Sequence, residues 1–185
     1  MQRPRPQNNK PAAGIFPGGL WRAKMNIYKV TAAEEKKTIA RQVLEALPEW
    51  FGIPEAREEY IAAGAEQTFF AAEEAGRVIG FLCLKETGRD TMELAVMGVC
   101  REYHRKGCGR ALFAAAKREA AAAGYSFLQV KTVQMGRYKE YDDTNRFYQS
   151  LGFKELEVFP TLWDEWNPCQ IYVMAIPVSY THLTL

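Results

Sequence analysis

The chain has 185 residues with a hydrophobic content of 48%, which predicts one domain whose core needs neither a disulfide nor a metal. Its net charge of +2 conceals a basic leader, since residues 1–24 carry five cations and no acid while the rest holds 19 cations against 22 acids. The mildly acidic remainder argues against nucleic acid as the main partner, and the lack of any run of 18 apolar residues argues against a membrane span.

The two ends of the chain differ from its middle. Residues 1–24 are rich in Pro, Gly, Gln and Asn and show no strand or helix period, so we expect a disordered extension without the apolar segment of a signal peptide. Residues 179–185 continue no pattern and are interpreted as a tail, which leaves one domain at residues 25–178. The four cysteines lack the dense spacing of a secreted scaffold, which indicates reduced thiols and a cytoplasmic protein.

Strand and helix patterns alternate through the domain. A strand at 26–30 precedes a helix at 32–47, for which Thr31 is the predicted N-cap and Pro48 the stop. The later predicted elements are a helix at 54–63, a hairpin of strands at 67–72 and 77–85, a strand at 91–99, a helix at 111–123, a strand at 125–133, a helix at 142–151, and strands at 153–159 and 170–176. This order predicts a mixed α/β architecture without repeats.

The segment from Val99 to Phe113 places two glycines and three cations where a strand gives way to a helix. Gly107 and Gly109 tolerate positive φ and let a ligand approach the backbone, while the first amides of the helix point outward with the positive end of its dipole. Arg105, Lys106 and Arg110 add full charges, so the turn is predicted to bind an anion. The spacing fits neither a Walker loop nor a dinucleotide fingerprint, and a plain strand-to-helix connection is the alternative for G-x-G alone.

With its flanks, this turn resembles the signature of the GNAT superfamily of acyl-CoA N-acyltransferases, [RQ]-x-x-G-x-[GA] after a strand of the type E-L-x-x-L-x-V. Residues 93–99 supply the strand and residues 104–109 supply the turn, with His104 in place of Arg or Gln. Residues 144–153, Thr-Asn-Arg-Phe-Tyr-Gln-Ser-Leu-Gly-Phe, resemble the A-x-x-x-Y-x-x-x-G-F element of the same family. The two motifs lie in the expected order, and the resemblance covers roughly residues 25–178.

The resemblance implies a fold and an activity. The fold would be an α/β (α+β) GNAT fold: a central mixed, mostly antiparallel sheet of about seven strands, flanked by helices and splayed between the fourth and fifth strands. The activity would be transfer of an acetyl group from acetyl-CoA to a primary amine of a small molecule or peptide by direct attack, without a metal and with a homodimer as a possible assembly. A non-catalytic acyl-CoA-binding regulatory module is the alternative.

The resemblance also implies which residues hold the cofactor. Pantetheine would pair with the backbone of Met97, Gly98 and Val99 on the splayed strand. Pyrophosphate would lie on the turn, and the remaining contacts would come from the later motif; the implied residues are His104, Arg105, Lys106, Gly107, Cys108, Gly109, Arg110, Asn145 and Tyr148.

Two side chains have implied catalytic roles. Tyr148 matches the tyrosine that donates a proton to the departing CoA thiolate, and a residue that packs beside Phe147 is the alternative. Glu93 is a candidate base for the amine proton, on one strand face with Met97 and Val99 if no bulge intervenes, and a solvated glutamate is the alternative.

Cys100, His104 and Cys108 lie at four-residue intervals, which is similar to metal-ligand spacing. The glycines make this segment a turn, and a fourth ligand at the usual spacing is missing, so zinc is not expected.

The acceptor is not defined by the sequence. Aromatic and acidic residues cluster at 49–51 and 162–166, and they would suit a cationic amine by charge and cation–π contact. Arg137 and Tyr138 would instead suit an acceptor that carries a carboxylate. We therefore expect a small amine or amino-group acceptor.

Overall fold

The computed structural model describes residues 24–177, so the predictions for residues 1–23 and 178–185 lie outside the described residues. The strands are β1 Asn26–Val30, β2 Thr68–Glu74, β3 Arg77–Gly88, β4 Thr91–Val99, β5 Phe127–Val133, β6 Lys154–Phe159 and β7 Cys169–Ala175. The helices are α1 Ala33–Glu45, α2 Pro48–Phe51, α3 Pro54–Glu66, α4 Cys108–Ala122 and α5 Lys139–Ser150, with one 3₁₀ turn at Arg101–Tyr103. None of the helices within residues 24–177 combines the length and the hydrophobicity that a transmembrane span requires.

The seven strands form a single sheet in the order β1-β2-β3-β4-β5-β7-β6. Every neighbouring pair is antiparallel except β4 and β5, which run parallel. These two strands pair only from Thr91–Leu94 to Phe127–Val130, so the edge of β4 from Ala95 to Val99 has no strand partner on the β5 side. The predicted mixed sheet with a splay between the fourth and fifth strands is confirmed.

Helices cover both faces of the sheet. On one face, α1 and α3 pack on β2, β3 and β4 around Val43, Leu44 and Phe81. On the other face, α4 and α5 enclose a second cluster that includes Leu112 and Tyr172. The two apolar faces of the sheet are thereby buried, and the splay lies between the two helical layers.

Several element boundaries differ from the sequence prediction. The N-cap of α1 is Ala32, without a side-chain cap hydrogen bond, and not Thr31. Pro48 does not merely end a helix; it begins α2, where its missing N–H costs nothing. Both α4 and α5 begin three residues before their predicted starts, because residues 108–110 and 139–141 already have helical backbone geometry.

A β-bulge at Ala95 changes which side chains share a face of β4. Cys83 pairs with Val96 and Leu84 with Leu94, so Ala95 has no partner on β3. Leu94 and Val99 lie in the cluster under α4, whereas Val96 lies in the cluster under α1. Glu93 was expected to share a face with Met97 and Val99 only if no bulge intervened; the bulge is present, and Glu93 instead lies on the side of the α1–α3 layer.

All four cysteines are free and buried. Desolvation raises the pKa of the Cys108 thiol to about 12 and that of Cys169 to about 11. Thiolate is the reactive form of cysteine, so these side chains pack as small apolar groups at neutral pH.

Candidate active site

The turn after β4 presents unpaired amides at the start of α4. Gly107 is the N-cap of that helix, with φ +87, and the first intrahelical hydrogen bond runs from Ala111 N–H to Gly107 O at 3.0 Å. The amides of Cys108, Gly109 and Arg110 therefore precede the hydrogen-bonded part of the helix and lie at the positive end of its dipole. Arg105 also has positive φ, at 59, so two residues of the turn adopt the left-handed conformation.

Gly109 is required for a different reason. Its backbone is helical, and a Cβ placed on it would lie 3.0 Å from Phe147 Cζ and 3.7 Å from Met97 Cε. The missing side chain lets α5 and β4 approach the first turn of α4. The sequence pattern suggested a positive φ for both glycines, but only Gly107 has one.

Three cations surround this turn. Lys106 Nζ lies 5.3 Å from the centroid of the Tyr103 ring, and Arg110 Nη2 donates to Ser150 Oγ at 3.2 Å. In the part of the chain that the structure describes, neither these two residues nor Arg105 forms an ion pair with an acidic side chain. Their charge therefore adds to that of the amides and favours an anion.

The His104 side chain points back to β4. Its Nε2 lies 2.6 Å from Val99 O, and since a carbonyl oxygen only accepts, Nε2 is the donor in this contact. The Val99 carbonyl, which the family resemblance leaves free for pantetheine, is thus engaged. Because Nε2 contacts this carbonyl, that nitrogen is not available as a metal ligand. Within residues 24–177, no group of three or more metal-binding side chains occurs.

Glu93 forms an ion pair at the point where β4 and β5 separate. Its Oε2 accepts from Lys131 Nζ at 2.6 Å and from Gln129 Nε2 at 3.0 Å, and Glu93 is only 9% exposed. Lys131 is the first residue of β5 beyond its last pairing with β4. Sequence patterns gave no signal for Lys131, because its contact with Glu93 exists only through the register of two distant strands.

Tyr148 is buried beside two phenylalanines. Its ring centroid lies 5.6 Å from that of Phe147 and 5.9 Å from that of Phe153, and the residue is 7% exposed. Burial raises the pKa of the phenol well above its usual value, so the side chain stays protonated at neutral pH. The ring of Tyr148 packs in the core, as the packing interpretation expects. Its hydroxyl is protonated, which is the form that a general acid requires.

Asn145 is completely buried, and both hydrogens of its amide group are used. Nδ2 donates to Val133 O at 2.9 Å and to Tyr141 O at 2.7 Å, and Oδ1 accepts from Tyr172 Oη at 2.7 Å. These bonds fix α5 against β5 and β7. Because no amide hydrogen is left for a cofactor, the geometry gives Asn145 a structural role and does not support the expected cofactor contact.

Trp50 of α2 bridges the opening between the turn after β4 and α5. Its Nε1 donates to Thr144 Oγ1 at 3.2 Å, and its carbonyl accepts from Tyr141 Oη at 3.2 Å. Its ring lies edge-on to His104 at 5.9 Å, with the Arg101 guanidinium 5.7 Å from the ring centroid. The sequence placed Trp50 among possible acceptor contacts, whereas the structure places it at the open end of the splay.

The other aromatic segment, between β6 and β7, exposes Trp163 and Trp166, the latter to 71%. The carboxylate of Asp164 accepts hydrogen bonds from the amides of Trp166 and Asn167 and from Asn167 Nδ2. These bonds hold the Asp164 pKa below its usual value. The acid therefore stabilises its own loop, and the exposed rings are the part of this segment that can contact a ligand.

This site combines an unpaired strand edge with a turn and a helix start that present unpaired amides, an arrangement suited to an extended ligand that carries phosphate. Residues 65–155 match the family model of the acetyltransferase (GNAT) domain. This segment of the chain is therefore a GNAT acetyltransferase domain, and the match identifies the protein as an acyltransferase.

Solved structures of acetyltransferases share the fold. A GNAT-family protein from Desulfovibrio desulfuricans is 21% identical, with a TM-score of 0.71, over 83% of this chain and 100% of that one. The ribosomal-protein-S18-alanine N-acetyltransferase from Escherichia coli is 19% identical, with a TM-score of 0.65, over 88% and 99%. The yncA protein from Salmonella typhimurium, solved with its cofactor acetyl-CoA, is 17% identical, with a TM-score of 0.60, over 87% and 99%. No curated protein matches the sequence.

Proposed function

We propose that this protein transfers the acetyl group of acetyl-CoA to a primary amine of a small molecule or peptide. The observation that carries the proposal is the edge of β4 from Ala95 to Val99, which has no strand partner on the β5 side and is followed by the turn that presents the unpaired amides of α4. A linear molecule with amide groups at one end and phosphates at the other fits this arrangement. The presence of acetyl-CoA in the yncA structure, and of coenzyme A with an aminoglycoside 6'-N-acetyltransferase, supports the choice.

In this proposal the cofactor lies along the splay. The backbone of Met97, Gly98 and Val99 would pair with pantetheine, and the turn of residues 104–110 would hold the pyrophosphate. His104 would act through the Val99 carbonyl that it already contacts, and the amides of Cys108, Gly109 and Arg110 would meet the phosphate oxygens. Residues 25–178 would form the catalytic domain, and the free, buried cysteines support a cytoplasmic location.

In the proposed reaction the amine nitrogen attacks the thioester carbonyl carbon, the C–S bond breaks, and the thiolate leaves. Tyr148 would give its phenolic proton to the thiolate, a role that fits a hydroxyl kept neutral by burial. The amine proton would pass to Glu93 directly or through water. Since Lys131 and Gln129 occupy Oε2, the other carboxylate oxygen, Oε1, would be the proton acceptor.

The test is release of CoA thiol from acetyl-CoA with a panel of primary amines, together with calorimetry of acetyl-CoA, NAD and ATP. We expect binding of acetyl-CoA in preference to the two nucleotides, and amine-dependent thiol release with at least one amine. Equal affinity for all three ligands would contradict the proposal, because it would show that the turn binds phosphate groups without recognising pantetheine.

The second candidate function is a non-catalytic acyl-CoA-binding module. Two contacts favour it. Glu93, the candidate base, is paired with Lys131, and the Val99 carbonyl is bonded to His104. Selective binding of acetyl-CoA without thiol release or acetylated product from any amine of the panel would favour this module over the enzyme.

A further inference from the structure

Lys131 places a primary amine where β4 and β5 separate. The two strands pair for the last time between Leu94 and Val130, so Lys131 is the first residue of β5 without a partner on β4. Its Nζ donates to Glu93 Oε2 at 2.6 Å, and its side chain is 28% exposed. The amine is thus held beside a carboxylate and is still accessible to a ligand in the splay.

The proposed cofactor would carry its thioester toward this amine. Its pyrophosphate would lie on the turn after Val99, and its pantetheine would run along the unpaired edge of β4 from Val99 back to Ala95. This edge is about 13 Å long, at about 3.3 Å per residue. The far end of an extended pantetheine, which carries the thioester, therefore points to the place where β4 and β5 meet, and Lys131 and Glu93 lie there.

Lys131 and Glu93 together form a nucleophile with its own base. A lysine amine is a weak nucleophile while it is protonated, and an adjacent base activates it. Glu93 Oε2 is within hydrogen-bond distance, so a proton can pass to it from Lys131 Nζ along the existing hydrogen bond. An amine held next to a bound thioester also reacts within one complex, without an encounter in solution.

We propose that the protein acetylates its own Lys131 when no other amine is present. The inference rests on the proposed function, which supplies the bound acetyl-CoA. The Lys131 nitrogen attacks the thioester carbonyl carbon, an N–C bond forms, and the C–S bond breaks. The ammonium gives one proton to Glu93 before the attack, and its nitrogen loses a second when the amide forms. The CoA thiolate takes up the equivalent of one of these protons, and the other goes to water. The acetylated side chain carries no charge, so Glu93 loses its ion pair.

Lys85 is the matched control for the selectivity of this reaction. It lies directly opposite Glu93 on β3, on the side of β4 away from the splay. Lys85 is exposed, and within residues 24–177 it forms no ion pair with Glu93. Chemical acetylation by free acetyl-CoA would favour an exposed lysine such as Lys85, whereas the proposed reaction selects Lys131.

Cys169 is a second nucleophile close to this pair. Burial raises the pKa of its thiol to about 11, and the charges of Lys131 and Glu93 also act on it. The thiol is therefore protonated and unreactive at neutral pH. An acetyl group on Cys169 would be a thioester, which hydroxylamine removes, while the amide formed on Lys131 resists hydroxylamine.

The experiment is incubation of the full chain with acetyl-CoA that carries carbon-13 in its acetyl group, without added amine, followed by hydroxylamine and peptide mass spectrometry. We expect Lys131 to be labelled about tenfold faster than Lys85 or more, at a rate that does not change with protein concentration. Glu93→Gln should slow the labelling of Lys131 by about 10². Lys131→Arg keeps a cation beside Glu93 and should remove the fast labelling without creating a new labelled site.

Several results would overturn the inference and leave the proposed function in place, provided that added amines still release CoA thiol. These are a lack of label on Lys131, equal rates at Lys131 and Lys85, and label that hydroxylamine removes. A rate that rises with protein concentration would also overturn it, because one molecule would then acetylate another. A native labelling rate in Glu93→Gln with a native melting temperature would overturn the role of Glu93 as the base. Failure of the native protein to bind acetyl-CoA would overturn the proposed function and this inference together.

Discussion

At the scale of single residues, the two glycines of the turn serve different purposes. Gly107 supplies a backbone conformation, at φ +87 with open space around it, whereas Gly109 supplies room for the Phe147 ring. A β-branched residue at position 107 would force the turn out of the left-handed region and misdirect the amides of α4. We expect Gly107→Val to weaken CoA binding at least tenfold, or about 1.4 kcal/mol, by calorimetry.

Gly124 is the matched control for this substitution. It has φ +88 and no atom within 4 Å of the position that a Cβ would occupy, but it follows the C-terminal end of α4. Gly124→Val should cost folding stability without a comparable change in CoA affinity. Native CoA affinity in a folded Gly107→Val variant would contradict the anion-binding role of the turn.

Tyr148→Phe removes one hydroxyl and keeps the ring that packs on Phe147 and Phe153. If the hydroxyl protonates the leaving thiolate, turnover with a responsive amine should fall by about 10² or more while acetyl-CoA affinity stays near native. Steady-state turnover at saturating acetyl-CoA measures the first quantity, and calorimetry measures the second. A single-turnover rate close to native would show that the ring alone is needed.

At the scale of elements, α2 joins the two sides of the candidate site. It is one turn long, yet Trp50 connects it to Thr144 of α5 and to His104 beyond β4. A cofactor bound between β4 and α5, as proposed, would lie close to this indole. The environment of Trp50 should therefore change when CoA binds.

We expect CoA to shift the tryptophan emission of the native protein, and Trp50→Phe to abolish most of that shift. Trp166→Phe is the control, because Trp166 is 71% exposed in the β6–β7 connection and should keep the response. Emission is recorded during CoA titration at fixed protein concentration. A full response in Trp50→Phe would place the cofactor away from the α2–α5 bridge.

The sequence could predict the elements that depend on local patterns. The apolar run of β4, the glycine turn and the order of strands and helices all follow from periodicity, and β4 keeps its predicted bounds of 91–99. The bulge at Ala95 and the hydrogen bonds of Asn145 could not be predicted, because they depend on the register between strands and on the docking of α5. For the same reason, the sequence could assign Glu93 to a face of β4 only on the condition that no bulge intervenes, and the bulge places it on the other face.

At the scale of the whole molecule, helices cover both faces of the sheet, and all four thiols are buried. Three of them lie on the sheet or just after it, and Cys108 lies in the first turn of α4. Burial removes water from a group that would otherwise ionise near pH 9, and the folded chain therefore keeps thiol protons that an unfolded chain releases.

This difference predicts how stability depends on alkaline pH. Between about pH 9 and pH 11 the unfolded state binds fewer protons than the folded state, so the free energy of unfolding falls as pH rises. Below about pH 8 both states keep their thiol protons, and stability no longer depends on these groups. Thermal unfolding from pH 7.5 to 10.5 should show a falling melting temperature. The slope should flatten in Cys108→Ala/Cys169→Ala, whatever that variant's own stability at pH 7.5, because two of the responsible groups are gone. A melting temperature that is constant or rises over this range in the native protein would contradict the burial of these thiols.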